Sequence, residues 1–183
     1  MQKTPQSNKL HKNRLITVPN FCLLMIAILT IMKIVPYGVY YNHTTSMPLG
    51  FYWVHKHKFT PKQNQLVLVC LTNKEYRELA ISRQYLPTSN NCDGVEPMLK
   101  RIAGISGDAL LATPLGITIN GRLISNTRIL NQDGLLRKMS SRLQVGIIPK
   151  GYYLVLGDSP MSFDSRYYGL VPESNIIATA YKL

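Results

Sequence analysis

The segment TTSMP at residues 44–48 places a serine between hydroxyl side chains and a proline turn. A serine hydroxyl becomes a useful nucleophile only when a neighbouring group accepts its proton. Serines of this kind are common in surface turns, so Ser46 is a candidate nucleophile only if the chain also supplies a base. The sequence offers two kinds of base, histidine and lysine.

The histidines near Ser46 are the first kind of base. His43, His55 and His57 lie close to the serine in sequence. Ser-His-Asp triads occur in several chain orders on unrelated folds, so order alone does not exclude one here. Acids are sparse, however, and no obvious carboxylate stands where it would orient one of these imidazoles. A triad is therefore the weaker interpretation.

Lys100 is the second kind of base. It lies in the largely apolar segment 96–108, beside residues such as Met98 and Ile102. A lysine with an ordinary pKa of about 10.4 is protonated near pH 7. Burial must therefore lower its pKa before it can accept a proton from serine. Most lysines on strands face solvent, so the hypothesis depends on whether the fold buries this one.

Residues 157–169, GDSPMSFDSRYYG, concentrate hydroxyl, acidic and basic side chains directly after an apolar run. Polar groups enclosed between apolar strands cost free energy unless they are paired. The segment therefore predicts a buried polar network. Taken alone, the same composition also fits a hydrophilic loop.

The first 36 residues predict a basic flank followed by a membrane anchor. Residues 15–35 are mostly apolar, and a helix of about 20 such residues spans the hydrocarbon core of a bilayer. A cleavable signal peptide is the competing interpretation, but no small-x-small site follows the apolar run. The basic flank places residues 1–14 in the cytoplasm and residues 37–183 outside it.

The three cysteines divide by position. Cys22 lies in the predicted anchor and is interpreted as an apolar filler. Cys70 and Cys92 lie in the exported part, where an oxidising compartment would allow a disulfide that closes a loop of about 20 residues. Two unpaired thiols are the alternative. No histidine or further cysteine stands at ligand spacing, so we expect no metal and no cofactor.

The exported part is predicted to be mainly β, with one short helical insert at about residues 74–85. The predicted strands share apolar or alternating patterns. They cover residues 65–71, 98–105, 109–112, 116–124, 151–156 and 176–181. The fourth of these segments contains an Asn-Gly pair that predicts a type I′ hairpin. Short strands joined by turns predict an antiparallel β domain.

The formal net charge of +12 would fit a protein that binds nucleic acid. The basic residues are scattered, however, and no helix-turn-helix, zinc spacing or RNA-binding motif is visible. An anionic membrane surface is the more economical partner, and we expect no nucleic acid.

Three segments in one chain order resemble the conserved boxes of type I signal peptidases, which are membrane-anchored Ser/Lys endopeptidases. These segments are residues 46–48, 98–108 and 157–169. Within that superfamily the chain is similar to the TraF-type conjugative transfer signal peptidases, from about residue 40 to the C-terminus. The resemblance implies a signal-peptidase-like antiparallel β domain.

The TraF-type details are local. They comprise SMPLGFYW at residues 46–53, the Cys70 and Cys92 pair around a helical insert, and SFDSRYYG at residues 162–169. The last box is shorter than in housekeeping signal peptidases and lacks their Arg-Asp-Asn. That difference disfavours a general secretory role.

The resemblance assigns Ser46 as the nucleophile and Lys100 as its general base. The Ser46 backbone N–H would hold the oxyanion, assisted by the Thr44 hydroxyl. Lys100 would take the serine proton and return one to the leaving amine.

The last box supplies the support residues that the resemblance implies. Ser162 matches a hydroxyl that orients the catalytic lysine, and Asp164 and Arg166 match a conserved pair. A carboxylate touching Lys100 would raise the lysine pKa and oppose catalysis. We therefore expect Asp164 to be engaged by Arg166 and by backbone N–H groups.

The implied function is removal of a leader or terminal peptide from an exported conjugative pilin, with head-to-tail cyclisation in some systems. The enzyme would sit in the bacterial inner membrane with its catalytic domain facing the periplasm. Its partners would be the prepilin or preprotein, the membrane and other conjugative transfer components. The alternatives are a general signal peptidase for secreted preproteins and a non-catalytic assembly factor of the conjugation channel.

Overall fold

The computed structural model describes residues 21–27, 30, 37–56 and 60–183. The chain divides into two compact units, Met1–Pro36 and Tyr37–Leu183. All the predicted site residues belong to the second unit.

In the first unit, residues 21–27 and residue 30 are helical. Among the described residues, no helix is both long enough and apolar enough to cross a membrane. The other residues of the predicted anchor lie outside the described residues, and the anchor therefore stays a prediction.

The second unit is built from short strands and two short helices in its described residues. The strands, numbered along the chain, are β1 (Tyr37–Asn42), β2 (Gly50–His55), β3 (Leu66–Val69), β4 (Met98–Gly104), β5 (Ala109–Thr113), β6 (Gly116–Ile119), β7 (Arg122–Leu123), β8 (Gly146–Ile147), β9 (Tyr152–Leu156), β10 (Val171–Pro172) and β11 (Ile176–Lys182). The helices are α1 (Lys74–Ser82) and α2 (Ser165–Tyr168).

Two sheets arrange these strands in the described part of the chain. A seven-stranded sheet has the order β1-β2-β11-β3-β4-β9-β10, and a four-stranded sheet has the order β7-β6-β5-β8. The paired strands within both sheets run antiparallel. The prediction of a mainly β, antiparallel fold with little helix is confirmed.

All six predicted strand segments are present, with ends that differ by one or two residues. The Asn-Gly hairpin is confirmed between β6 and β7, where Asn120 and Gly121 have φ angles of 52° and 77°. Both angles are positive, as a type I′ turn requires. Strands β1 and β2 were not predicted, although their side chains alternate between exposed and more buried positions.

Helix α1 is shorter than predicted. It begins at the cap residue Asn73, whose side chain accepts a hydrogen bond from the Tyr76 backbone N–H, and it buries Tyr76 and Ala80. The chain leaves the helix before residue 85 because Gln84 adopts a left-handed conformation with φ of 59°. Tyr85 follows this turn and lines a cavity that Ser46 and Lys100 also line.

The buried side chains form several adjoining clusters. One lies between the two sheets and includes Leu110, Ile117, Ile148 and Leu154. Another packs α1 against β4 and α2 through the buried residues Leu71, Tyr76, Ala80, Met98, Met139 and Tyr167. Strand β4 is therefore covered on both faces, which explains why its side chains are mostly buried.

A disulfide joins Cys70, at the end of β3, to Cys92 in a short 3-10 turn. The two cysteines are 22 positions apart, and the loop between them contains α1. The insert is thus tied at both ends close to the sheet. Cys22, in the first unit, is exposed.

We expect replacement of both Cys70 and Cys92 by alanine to lower the free energy of unfolding by about 3 kcal/mol. The reason is that the disulfide restricts the unfolded chain over a loop of this length. Thermal unfolding with and without a thiol reductant measures the effect. Cys22→Ala is the matched control and should melt like the wild type, whereas an unchanged melting temperature in the double variant would contradict the prediction.

Candidate active site

Ser46 lies in the loop that connects β1 to β2. The pairing of Asn42 with Gly50 closes this loop at its base. The Ser46 carbonyl accepts hydrogen bonds from the backbone N–H groups of Asp158, at 2.8 Å, and Ser159, at 3.3 Å. The serine loop is therefore fixed against the beginning of the polar segment 157–169.

The Ser46 side chain is half-buried and faces another hydroxyl. Its Oγ lies 3.1 Å from Thr44 Oγ1. The Thr44 hydroxyl in turn donates to Asn42 Oδ1 at 2.9 Å. Within the described residues, no direct hydrogen bond joins Ser46 Oγ to Lys100 Nζ.

Lys100 is buried in the middle of the large sheet. It lies on β4, opposite Val67 of β3, and only 3% of its surface is exposed. Its Nζ donates a hydrogen bond to Ser162 Oγ at 3.0 Å. The sheet thus brings the predicted base and its predicted orienting hydroxyl together across 62 positions of sequence.

Burial lowers the pKa of Lys100 to about 8. Desolvation is the largest cause, because a buried ammonium loses its hydration. The charge of Asp164 acts in the opposite direction, Arg166 acts with desolvation, and Asp158 makes a smaller opposing contribution. The net result is an amine that is partly neutral near physiological pH.

Asp164 and Arg166 form a fully buried ion pair, with Arg166 Nη2 2.9 Å from Asp164 Oδ2. Asp164 also accepts hydrogen bonds from the backbone N–H groups of Gly157 and Arg166, and it caps α2. These are the contacts that the sequence predicted for this carboxylate. Its charge is compensated locally, and desolvation has a larger effect than this carboxylate on the pKa of Lys100.

Arg166 organises the backbone around it. Its guanidinium donates to backbone carbonyls of two separate segments, in a pattern that uses its fork of N–H groups. The acceptors are Asn126, Arg128, Ser159, Pro160 and Ser162. The polar segment is therefore a buried network rather than a hydrophilic loop.

Gly157 is the point where the serine loop and the lysine's partner approach each other. A Cβ at this position would lie 2.2 Å from Ser162 Oγ and 2.8 Å from the Ser46 carbonyl oxygen. Both distances are shorter than any real Cβ contact, and only glycine fits here. The sequence analysis identifies Gly157 only as the first residue of the polar segment 157–169.

A cavity of about 300 Å³ opens beside these groups. Ser46, Thr44, Lys100 and Ser162 all line it. Asp164 and Arg166 lie behind its wall and are fully buried. The fold thus places four of the six predicted site residues on one concave surface and the other two in support.

Apolar and aromatic side chains from distant segments complete the lining. They include Met98, Met139, Phe163 and Tyr167, along with Tyr85 from the disulfide-tied insert. Such a lining suits an apolar segment of a bound polypeptide. These lining residues come from different parts of the chain, and no local sequence motif predicted that they would meet.

Asp133 is a further polar residue that lines the cavity. Its carboxylate accepts hydrogen bonds from the Tyr85 hydroxyl and the Arg137 guanidinium. Burial acts to raise the pKa of Asp133, but these hydrogen bonds outweigh it and hold the pKa well below its usual range. Sequence analysis did not identify this residue, because Arg137 is a near neighbour in sequence but Tyr85 lies 48 positions away.

The histidines are placed differently from Lys100. His43 lines the cavity but is exposed, and its Nε2 lies 3.9 Å from Glu96 Oε2. His55 is on β2, where its ring stacks on Tyr37. His57 lies outside the described residues. No cluster of metal-binding side chains occurs in the part of the chain that the structure describes.

The comparison with protein families identifies the family of the chain. The profile described as "Signal peptidase, peptidase S26" matches residues 13–182. The chain therefore belongs to the S26 family of signal peptidases, and this membership supports a serine peptidase activity. The resemblance that the sequence predicted is confirmed.

The relatives within that family include conjugative transfer proteins. The chain is 30% identical over 146 residues to the plasmid transfer protein TraF of Escherichia coli, covering 76% of this chain and 79% of that protein. It is 29% identical over 144 residues to the conjugal transfer protein TraF of Agrobacterium fabrum, covering 78% and 80% respectively. A solved signal peptidase I from Enterococcus faecalis aligns with a TM-score of 0.40 and 18% identity, covering 66% of this chain and 97% of its own.

We expect Gly157→Ala to reduce precursor cleavage at least about 100-fold, because the new methyl group displaces Ser162 or the Ser46 loop. The same overpacking should lower stability by about 1–3 kcal/mol. Thermal unfolding and the cleavage rate measure the two effects.

Gly134→Ala is the matched control for this substitution. Gly134 also lines the cavity, but its added Cβ would meet only Met161 Cε, at an ordinary 3.7 Å. This variant should behave like the wild type. Wild-type cleavage by Gly157→Ala would show that the two segments do not need their present separation.

Proposed function

We propose that this chain is a membrane-anchored serine endopeptidase that uses a Ser46/Lys100 dyad to process an exported conjugative pilin. The observation that carries the proposal is the buried Lys100 amine, hydrogen-bonded to Ser162 on the same cavity as Ser46. Membership of the S26 family supports the reaction class. The conjugative transfer names of two relatives support the choice of substrate.

The reaction begins when the substrate backbone lies along the cavity with its scissile carbonyl beside Ser46 Oγ. Neutral Lys100 accepts the serine proton as Oγ attacks the carbonyl carbon. The resulting ammonium returns a proton to the leaving amine as the peptide C–N bond breaks. A water molecule then hydrolyses the Ser46 ester and regenerates both groups.

Substrate binding also excludes water from the cavity. Lys100 is already desolvated by β3, β9 and the polar segment, so the bound substrate would cover its remaining exposed surface. Low hydration favours the neutral amine over the ammonium. The same exclusion strengthens the hydrogen bonds that stabilise charge in the transition state.

The oxyanion would be held by the Ser46 backbone N–H. The Thr44 hydroxyl was expected to assist, but its hydrogen is donated to Asn42 in this structure. Thr44 can contribute to the oxyanion only by giving up that bond. The supporting pair acts at a distance, because Asp164 and Arg166 fix the backbone that carries Ser162.

The proposed location rests on the predicted anchor and on the disulfide. Residues 1–36 would anchor the chain in the bacterial inner membrane, with residues 37–183 as the peptidase domain in the periplasm. The Cys70–Cys92 disulfide supports this placement, because such bonds persist in oxidising compartments. Other conjugative transfer components would be its neighbours there.

The fate of the Ser46 ester decides the product. Water gives a linear pilin, whereas an amine from the pilin's own N-terminus would give a cyclic one through a new peptide bond. Two other roles remain as alternatives: general processing of secreted preproteins, and non-catalytic assembly of the conjugation channel.

We expect Ser46→Ala and Lys100→Met each to abolish pilin maturation while the protein stays folded. Methionine keeps the length of the lysine stem without burying a charge. Mass spectrometry of pilin from cells carrying each variant reports the cleavage site. A product lighter than the linear one by one water would reveal cyclisation.

Lys150→Met, at an exposed position, is the matched control and should process normally. Complete cleavage by Lys100→Met would refute the dyad. Normal maturation with Ser46→Ala, but not without the protein, would favour the assembly factor. Rescue of cells depleted of their housekeeping signal peptidase would favour a general role.

We expect the rate of Ser46 acylation to rise with pH and to reach half its maximum near pH 8. The active form of Lys100 is the neutral amine, and the pKa of Lys100 is lowered to about 8. The assay is p-nitrophenolate release from p-nitrophenyl acetate by the full-length protein in detergent, with Ser46→Ala as the background. The pH dependence of the second-order rate constant reports the pKa values of groups in the free enzyme.

A histidine base would instead place the midpoint near about pH 6.5. Because we propose Lys100 as the base, His43→Gln should leave the midpoint of the pH profile unchanged. A midpoint near that lower value that disappears in His43→Gln would assign the base to His43 and exclude Lys100.

A further inference from the structure

Asn42 is the last residue of β1 and is almost completely buried, with 1% of its surface exposed. Its side-chain Nδ2 donates to the backbone carbonyls of Thr44, Met47 and Pro48, each at 3.0 Å. These carbonyls lie on both sides of Ser46. One buried amide therefore shapes the whole serine loop.

The other end of the same amide faces Thr44. Asn42 Oδ1 accepts from the Thr44 hydroxyl at 2.9 Å and from its backbone N–H at 3.3 Å. The orientation of the amide is determined chemically, because carbonyl oxygens only accept hydrogen bonds. A flipped amide would place its oxygen against the carbonyls of Thr44, Met47 and Pro48.

This orientation determines the direction of the next hydrogen bond. A hydroxyl has one hydrogen, and Thr44 gives its hydrogen to Asn42 Oδ1, which cannot donate. At the 3.1 Å contact between Thr44 Oγ1 and Ser46 Oγ, Thr44 must therefore accept and Ser46 must donate. The chain of donors runs from Ser46 through Thr44 to Asn42.

We propose that Asn42, acting through Thr44, is a positioning residue that fixes the Ser46 hydroxyl oxygen in the resting enzyme. The inference rests on the proposed function, in which Ser46 is the nucleophile. The bond to Thr44 is given up when the Ser46 hydrogen turns about the Cβ–Oγ bond towards Lys100, so Thr44 positions the oxygen up to the step in which Lys100 takes the proton. Without the acceptor on Thr44, the oxygen would sample other rotamers, and productive alignment would become rarer.

The hydrogen bonds from Ser46 through Thr44 to Asn42, here called the relay, add side-chain positioning to the backbone hydrogen bonds that hold this loop. Asp158 and Ser159 hold the Ser46 carbonyl, which fixes the main chain but leaves the side-chain torsion free. The Tyr52 hydroxyl donates to the Pro48 carbonyl and stabilises the far end of the loop. Thr44 is the residue whose side chain contacts Ser46 Oγ, and Asn42 determines which way that contact is directed.

The test compares acylation by p-nitrophenyl acetate in full-length variants. Thr44→Val keeps the shape of threonine and the bonds from Asn42 to the loop carbonyls, but it removes the acceptor. We expect it to acylate about 10- to 100-fold more slowly than the wild type. Thr44→Ser restores a hydroxyl and should come within about threefold of the wild type.

A double variant tests whether Asn42 acts through Thr44. We expect Asn42→Ala to be at least as slow as Thr44→Val, and Asn42→Ala/Thr44→Val to be no more than about threefold slower than Asn42→Ala. If the loss of rate in the double variant equals the product of the two single losses, the proposal that Asn42 acts through Thr44 is wrong. If Asn42→Ala loses the wild-type circular dichroism spectrum, the comparison of Thr44→Val with Thr44→Ser decides, and equal rates overturn it.

Ser46→Ala separates this inference from the proposed function. If Ser46→Ala is acylated as fast as the wild type, the nucleophile itself is wrong. If Ser46→Ala is inert and Thr44→Val reacts at the wild-type rate, only the relay is wrong.

Discussion

The ion pair between Asp164 and Arg166 is the interaction on which the rest of the site depends. Both side chains are excluded from solvent, and breaking such a pair typically costs about 3–5 kcal/mol because one charge is left uncompensated. The separate cost of burying the two charges is offset here because each charge also has backbone partners. Through those partners the pair fixes the Gly157 turn and the position of Ser162. Buried hydrogen bonds therefore hold the cavity wall beside Ser162.

The two charges of the same pair act on the pKa of Lys100 in opposite directions. A lone buried carboxylate would raise the lysine pKa, and a lone arginine would lower it. With both present, desolvation is the largest effect and the pKa of Lys100 falls to about 8. Burial by the sheet thus favours the neutral form of the amine that we propose as the base. Arg166 thus offsets part of the effect of the Asp164 carboxylate on the lysine that we propose as the base.

Local patterns predicted the fold well wherever neighbours in sequence decide conformation. The Asn120–Gly121 pair predicted its hairpin because positive φ angles are a property of those residues. The end of α1 was predicted wrongly, since Gln84 turns out of the helix as Tyr85 reaches across to Asp133. Asn42 was missed for a similar reason. Its role depends on a loop that folds back over it, and asparagine at the end of a strand has many other uses.

The sequence by itself determined the family, the antiparallel β class, and the residue types that could act as nucleophile, base and support. These features are carried by short motifs in a fixed order, which can be recognised without knowing any interatomic distance. The tertiary structure decided the rest: that Lys100 is buried and meets Ser162, that Gly157 must lack a side chain, and that Thr44 is oriented by Asn42. Desolvation and hydrogen-bond direction depend on atoms brought together from distant parts of the chain. Only the folded sheet brings those atoms within reach of one another.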